Sequence, residues 1–167
     1  MTHRNGNCLD RENTKITAAC MIGLGLSFYA YTVETAKEND ENYVAMCDIS
    51  EHVKCTTVFM SEYGKGFGII PSTSIFYAPN PVYGMVFYSL VTILSILNKY
   101  ATSIAVIILG VLSNICTVYL AYILYILSDI CVVCVSTYVV NAIILIVAVK
   151  KYRKLCRNGT SKKRKAN

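Results

Sequence analysis

The sequence predicts an all-α membrane protein, a four-transmembrane-helix bundle with a lumenal loop between helices one and two. Three observations lead there. The 167-residue chain is 54% hydrophobic with a mean hydropathy of +0.46, it has three prolines and no tryptophan, and its apolar residues fall into long runs. These values lie outside the soluble globular class. A bilayer core of roughly 30 Å needs about 20 apolar residues as helix, and runs of that order recur along the chain.

Residues 1–15 read as a short N-terminal segment, followed by a first membrane helix over about 16–33. It is not read as a signal peptide, because its apolar part is long and no small-residue cleavage site follows before Glu34. A hydrophilic loop spans about 36–80. The second helix covers about 82–98 and the third about 101–127. The apolar stretch from Ala101 to Val149 is too long for one crossing, and Ser128-Asp129 is its only strong polar break. An ionised Asp at mid-membrane costs roughly 2.5–3.5 kcal/mol, so Asp129 is expected in an interfacial turn. The fourth helix then covers 130–149, which makes 16–149 the membrane domain and 150–167 a basic tail.

Charge sets the expected orientation. Lys150, Lys151, Arg153, Lys154 and Arg157 begin the tail, and Arg4, Arg11 and Lys15 precede the first helix, so both termini are placed in the cytosol. The 36–80 loop is acidic on balance and is placed in the lumen. Nucleic-acid binding is not expected, since a juxtamembrane basic run fits anionic membrane lipid and the topology rule. The ending Lys163-Arg164-Lys165-Ala166-Asn167 is similar to a dilysine retrieval signal and points to the endoplasmic reticulum membrane. Asn158-Gly159-Thr160 is a glycosylation sequon in letters only, because this topology leaves it cytosolic.

That topology sorts the eight cysteines. Cys8 and Cys156 fall on the reducing side, and Cys20 and Cys116 fall inside helices, where thiols are expected to be inert. Cys47 and Cys55 lie in the loop, and the Asp129 turn brings Cys131 and Cys134 to the same oxidising side. Four thiols permit three pairings. A CxxC pair at a helix start favours the nucleophilic thiolate. A disulfide within it closes too small a loop to stabilise much by entropy, so redox use is favoured over a static staple.

Several polar and aromatic residues stand near these thiols. Tyr138 is one helical turn beyond Cys134 on the same face, either packing between helices or meeting a ligand the cysteine touches. Asn80, in Pro79-Asn80-Pro81, is read first as an N-cap and second as a held hydrogen-bond donor. Gly64-Lys65-Gly66-Phe67-Gly68 lacks a phosphate loop's ending and flanks, and reads as a turn laying Phe59, Tyr63 and Phe67 against the membrane surface. No metal site is expected, because His3 and His52 are too scattered and no paired Cys/His spacing occurs.

Cys47-Asp48 with Cys55, Val58-Phe59, Ser61, Gly64 to Gly68, Asn80 with Tyr83-Gly84 and Phe87-Tyr88, and Cys131 to Tyr138 together resemble the vitamin K epoxide reductase family. The resemblance covers roughly Cys47 to Asn141 in order, spacing and frame. It departs in two places: the stretch from Phe67 to Asn80 is a few residues shorter than in the vertebrate enzymes, and Tyr63 stands where those usually carry tryptophan. Tyr83 leans towards the vertebrate paralogue.

The resemblance implies reduction of vitamin K 2,3-epoxide to quinone, and of quinone to hydroquinone, at the expense of a thiol reductant. Vitamin K would be substrate, with no tightly bound cofactor. Cys134 would attack the naphthoquinone, Cys131 would resolve it, and Cys47 and Cys55 would relay electrons from a lumenal thioredoxin-like or protein-disulfide-isomerase-like protein. Asn80 and Tyr138 would hydrogen-bond the quinone oxygens, and Phe59, Phe87 and Tyr88 would line the substrate site. Vitamin K antagonists would be candidate inhibitors. Two other readings stay open. One is a quinone-dependent oxidase that generates disulfides for lumenal protein folding. The other is a non-enzymatic four-span scaffold, disfavoured because neither a Cys-Cys-Gly run nor a tryptophan-rich loop occurs.

Overall fold

The structure, a computed structural model, describes residues 2–50 and 53–164. His52 and Lys165 of the retrieval-like ending therefore lie outside the described residues. Five α-helices form: α1 (Thr2–Asn39), the short α2 (Cys55–Phe59), α3 (Asn80–Ile96), α4 (Tyr100–Leu127) and α5 (Val132–Arg164). A 3-10 turn, Gly66–Gly68, lies between α2 and α3. No strand forms among the described residues, only isolated bridges pairing Ser50 with Val53 and Lys65 with Pro79.

Leu9–Asn39, Tyr100–Leu127 and Val132–Arg157 are each long and apolar enough to cross a membrane, while α3 is a shorter apolar helix of 17 residues. Large side chains such as Phe28, Val118 and Ile146 face outward on these helices. Such apolar exteriors suit lipid rather than water, so this is a membrane protein.

The helices are longer than their apolar runs. Helix α1 starts at Thr2 instead of near residue 16 and ends at Asn39, while α5 runs on to Arg164. Polar ties between helices account for the extensions. Glu12 is 3% exposed and accepts from Lys154 Nζ at 2.7 Å, joining α1 to α5. Lys151, 2% exposed, donates to the Ser95 carbonyl at 2.5 Å near the end of α3. Tyr100 and Tyr152 share a hydroxyl hydrogen bond of 2.6 Å between α4 and α5. Between α4 and α5 the break falls where Ser128 takes a left-handed conformation (φ 55°) and ends α4.

Helices in lipid gain little from the hydrophobic effect against one another, so close packing and hydrogen bonds hold them. The seam between α1 and α3 uses small residues for this. Gly23 lies against the ring of Tyr88, and Gly84 lies against Ser27, where a Cβ would sit 2.5 Å from Oγ. Ile16, Cys20, Tyr88, Val91, Val106 and Ile144 form one buried cluster within the bundle. A second cluster joins Ala30, Val33, Cys47, Cys55, Phe59 and Cys131 where the 40–79 connection folds over the helix ends.

The Gly23 contact generates a stability prediction. Gly23→Ala pushes a methyl group into the buried Tyr88 ring and is expected to cost about 1–3 kcal/mol. Thermal unfolding in detergent would register it as a lowered midpoint.

Candidate functional site

The connection 40–79 roofs one end of the bundle and encloses a cavity of about 310 Å³. Its roof is held by backbone geometry that few residues adopt. Gly66 (φ 56°), Phe67 (φ 57°) and Gly68 (φ 70°) all lie in the left-handed region. For Phe67 this conformation carries a cost of order 1–3 kcal/mol. Both of its backbone groups are held: its N–H donates to Asn80 Oδ1 at 2.9 Å, and its carbonyl accepts from Tyr119 Oη at 3.2 Å. Asn80 Nδ2 also donates to the Tyr63 carbonyl at 2.6 Å.

Asn80 is thus the fastener of the roof, and its default reading as an N-cap is corrected. Pro79 occupies the cap position and makes no side-chain capping bond, while Asn80 is the first helical residue. The aromatic turn is corrected too. Phe59 is buried, and Phe59, Tyr63 and Phe67 line the cavity instead of lying on the membrane surface.

The cavity brings together Asn80, Tyr138, Phe59, Phe87, Tyr88 and Cys134. Tyr88 reaches it by its ring, since its hydroxyl donates to Asn141 Oδ1 at 3.0 Å. Tyr138 makes no hydrogen bond among the described residues and is available to a ligand. Cys116, expected to be inert inside its helix, also lines the wall.

Sequence reasoning passed over the polar floor. Asn141 Nδ2 donates to Thr117 Oγ1 at 3.1 Å, and Asn114 Nδ2 donates to the Asn141 carbonyl at 3.2 Å. The signal was present as polar residues inside apolar runs, which membranes tolerate only where they are paired.

Cys131 and Cys134 form a disulfide with Cα atoms 5.2 Å apart. Cys131 directly precedes α5, its carbonyl accepts from Val135 N–H at 3.0 Å, and its sulfur accepts from Cys134 N–H at 3.2 Å. The sulfur therefore caps the helix start. Cys131 is fully buried, whereas Cys134 faces the cavity. Cys47 and Cys55 are buried thiols, and Cys55 Sγ lies 3.7 Å from the Cys47 carbonyl.

Burial, and then the neighbouring Cys47, push the Cys55 thiol up to about 12, against the pull of the Val133 and Val132 N–H groups at the start of α5. Burial also raises the Asp48 carboxyl, but hydrogen bonds from Thr56, Ala45 and Cys55 outweigh it and hold Asp48 below its ordinary value. Those bonds include Thr56 N–H at 3.1 Å and Thr56 Oγ1 at 2.6 Å, so Asp48 anchors the first turn of α2 that carries Cys55.

Helices that cross a membrane, a dithiol couple at a helix start and an apolar cavity with a few convergent polar groups define a membrane thiol oxidoreductase for an apolar substrate. Residues 15–149 match the Vitamin K epoxide reductase family. The Mus musculus protein "Vitamin K epoxide reductase complex subunit 1" is 37% identical over 139 residues, covering 80% of this chain and 86% of that protein. Its Rattus norvegicus counterpart is 36% identical over the same spans. The chain belongs to the vitamin K epoxide reductase family.

Asn80→Ala leaves the Phe67 N–H and the Tyr63 carbonyl without their partners, at roughly 1–3 kcal/mol. Hydrogen exchange is expected to show the Phe67 amide opening at least about tenfold more often, with α4 amides unchanged.

Proposed function

We propose that this chain reduces vitamin K 2,3-epoxide to the quinone, and the quinone to the hydroquinone, at the cavity beneath the roof. One observation carries the reading: Cys134 of the CxxC couple opens onto a half-open apolar cavity that also holds Asn80 and Tyr138. On this reading all four long helices cross the endoplasmic reticulum membrane, both termini are cytosolic, and the roof is lumenal. The substrate's isoprenoid tail keeps it in the bilayer, so it enters between helices.

The chemistry balances with two thiols per turnover. In epoxide reduction the Cys134 thiolate attacks a ring carbon and opens the epoxide to a hydroxyl, Cys131 then attacks the Cys134 sulfur to form the Cys131–Cys134 disulfide, and the released ring enolate expels the hydroxyl as water to give the quinone. In quinone reduction the same dithiol supplies two electrons and two protons, giving hydroquinone. Asn80 and Tyr138 polarise the ring oxygens as they gain charge. Asn80 has one amide hydrogen engaged with Tyr63, which leaves the other for this task.

The disulfide is then reduced through the loop pair. A Cys55 thiolate attacks Cys131, expelling Cys134 into the cavity, and Cys47 resolves the mixed disulfide. The burial of Cys55 and Cys131 in one cluster supports this order, as do the α5 N–H groups aimed at Cys55. A thioredoxin-like or protein-disulfide-isomerase-like lumenal protein would return Cys47 and Cys55 to thiols. The disulfide-generating reading runs electrons in the same direction, and epoxide consumption separates the two.

Membranes expressing the chain test the reading. Cys134→Ser is expected to abolish epoxide reduction with dithiothreitol or a protein reductant. Removing Cys47 and Cys55 should abolish only protein-driven turnover. Equal loss in both assays for the loop variants would show that this pair is structural.

The raised Cys55 thiol sets a pH dependence. Far below its pKa the thiolate fraction grows tenfold per pH unit, so transfer from the loop pair should rise by about that factor per unit between about pH 7 and 9. Stopped-flow measurement of Cys131–Cys134 reduction would follow it. A flat profile would place another step or nucleophile in control.

A further inference from the structure

We propose that Cys47, Asp48 and Cys55 form a soft-metal site, present only while the loop pair is reduced, that takes a divalent ion of the Zn(II) type. The two sulfurs and a carboxylate oxygen all lie within 4.8 Å of one another. Two sulfurs on one tetrahedral zinc ion stand roughly 3.8 Å apart, so a shift of at most about 1 Å closes the set. Two thiolates and one carboxylate suit Zn(II) or Cd(II) and not the hard, oxygen-seeking Ca(II) or Mg(II).

The groups around the ligands are those a metal site needs. Thr56 N–H and Oγ1 orient the Asp48 carboxylate, which stands below its ordinary protonation range. The Val132 and Val133 N–H groups face Cys55, and the metal itself displaces the proton that burial keeps on its sulfur. A path from outside exists as well. An open pocket of about 470 Å³ reaches Asp48 and Thr56, and Lys37 and Lys54 on its wall offset the negative charge of the ligands. A water from that pocket supplies the fourth position.

Binding exchanges two thiol protons for one divalent ion and needs no oxidant. Once the two sulfurs are joined as a disulfide they are poor ligands, so the site exists in one redox state alone. Occupancy would hold the pair as a dithiolate and keep it from attacking Cys131. That last consequence rests on the relay proposed above, whereas binding itself does not.

The test uses the full chain in detergent micelles, carrying Cys131→Ser and Cys134→Ser so that the cavity dithiol cannot compete. After reduction with a phosphine, Cd(II) is titrated and its thiolate charge-transfer absorption followed. One equivalent is expected to bind, with the band lost in Cys55→Ser and after oxidation of the loop pair. Asp48→Asn is expected to weaken binding by about tenfold or more. No band, or a band that survives Cys55→Ser, overturns the site.

Alkylation of the unsubstituted chain provides a measurement free of folding effects. Zn(II) should protect Cys47 and Cys55 from maleimide, as read by peptide mass, and failure to protect either overturns the proposal. Binding with undiminished protein-driven epoxide turnover upholds the site and overturns the relay instead.

Discussion

The start of α5 is the constraint on which the rest of the structure depends. Cys131 has to end the turn after Ser128, cap the helix with its sulfur and stay bonded to Cys134, all within four residues. Cys131 stands just before the helix and is fully buried, whereas Cys134 stands in its first turn and is half-buried. Cys134 therefore faces the cavity while Cys131 faces the buried cluster that holds Cys47 and Cys55. One helix end thus sets one sulfur at the wall of an apolar chamber and the other beside Cys47 and Cys55.

Lipid surroundings impose the second condition, that polar groups inside the bundle find partners within it. The Tyr88, Asn141, Thr117 and Asn114 bonds meet it at the cavity floor, linking α3, α4 and α5. At the roof, Asn80 and Tyr119 meet it by holding the two backbone groups of Phe67. Between floor and roof the walls are mostly apolar, and Tyr138 keeps a hydroxyl open to a ligand. A flat quinone with two oxygens suits such a chamber better than a charged or strongly hydrated molecule.

The apolar helices were legible because a membrane crossing needs a run that little else produces, and Ser128-Asp129 was legible as the one polar interruption of the longest run. The helix extensions were not. Lys151 and Lys154 read as part of a basic tail, yet Lys151 is buried and Lys154 meets the buried Glu12, in ties that only the tertiary arrangement creates. Asn80 misled for a related reason. Its type and position both suit an N-cap, but Pro79 takes that place and frees the amide to reach 13 residues back to Phe67. Phe59, Tyr63 and Phe67 were legible as an aromatic group, but the direction they face depends on three successive left-handed residues that spacing does not disclose. Cys47-Asp48 and Cys55 were legible as a motif, but the closeness of all three ligand atoms was not, because they come from a loop and a short helix with no regular period.

The ties at the far end of the bundle have a mechanical consequence. Lys151 to Ser95, Glu12 to Lys154 and Tyr100 to Tyr152 pin all four long helices together. At the other end the Cys131–Cys134 disulfide joins residues three apart at one helix start, so it does not hold one helix to another. The molecule is built like a pair of tongs, riveted at the handles, with jaws that meet through side-chain packing and the hydrogen bonds of the roof. Small helix tilts at the thiol end would then leave the register of the whole bundle unchanged.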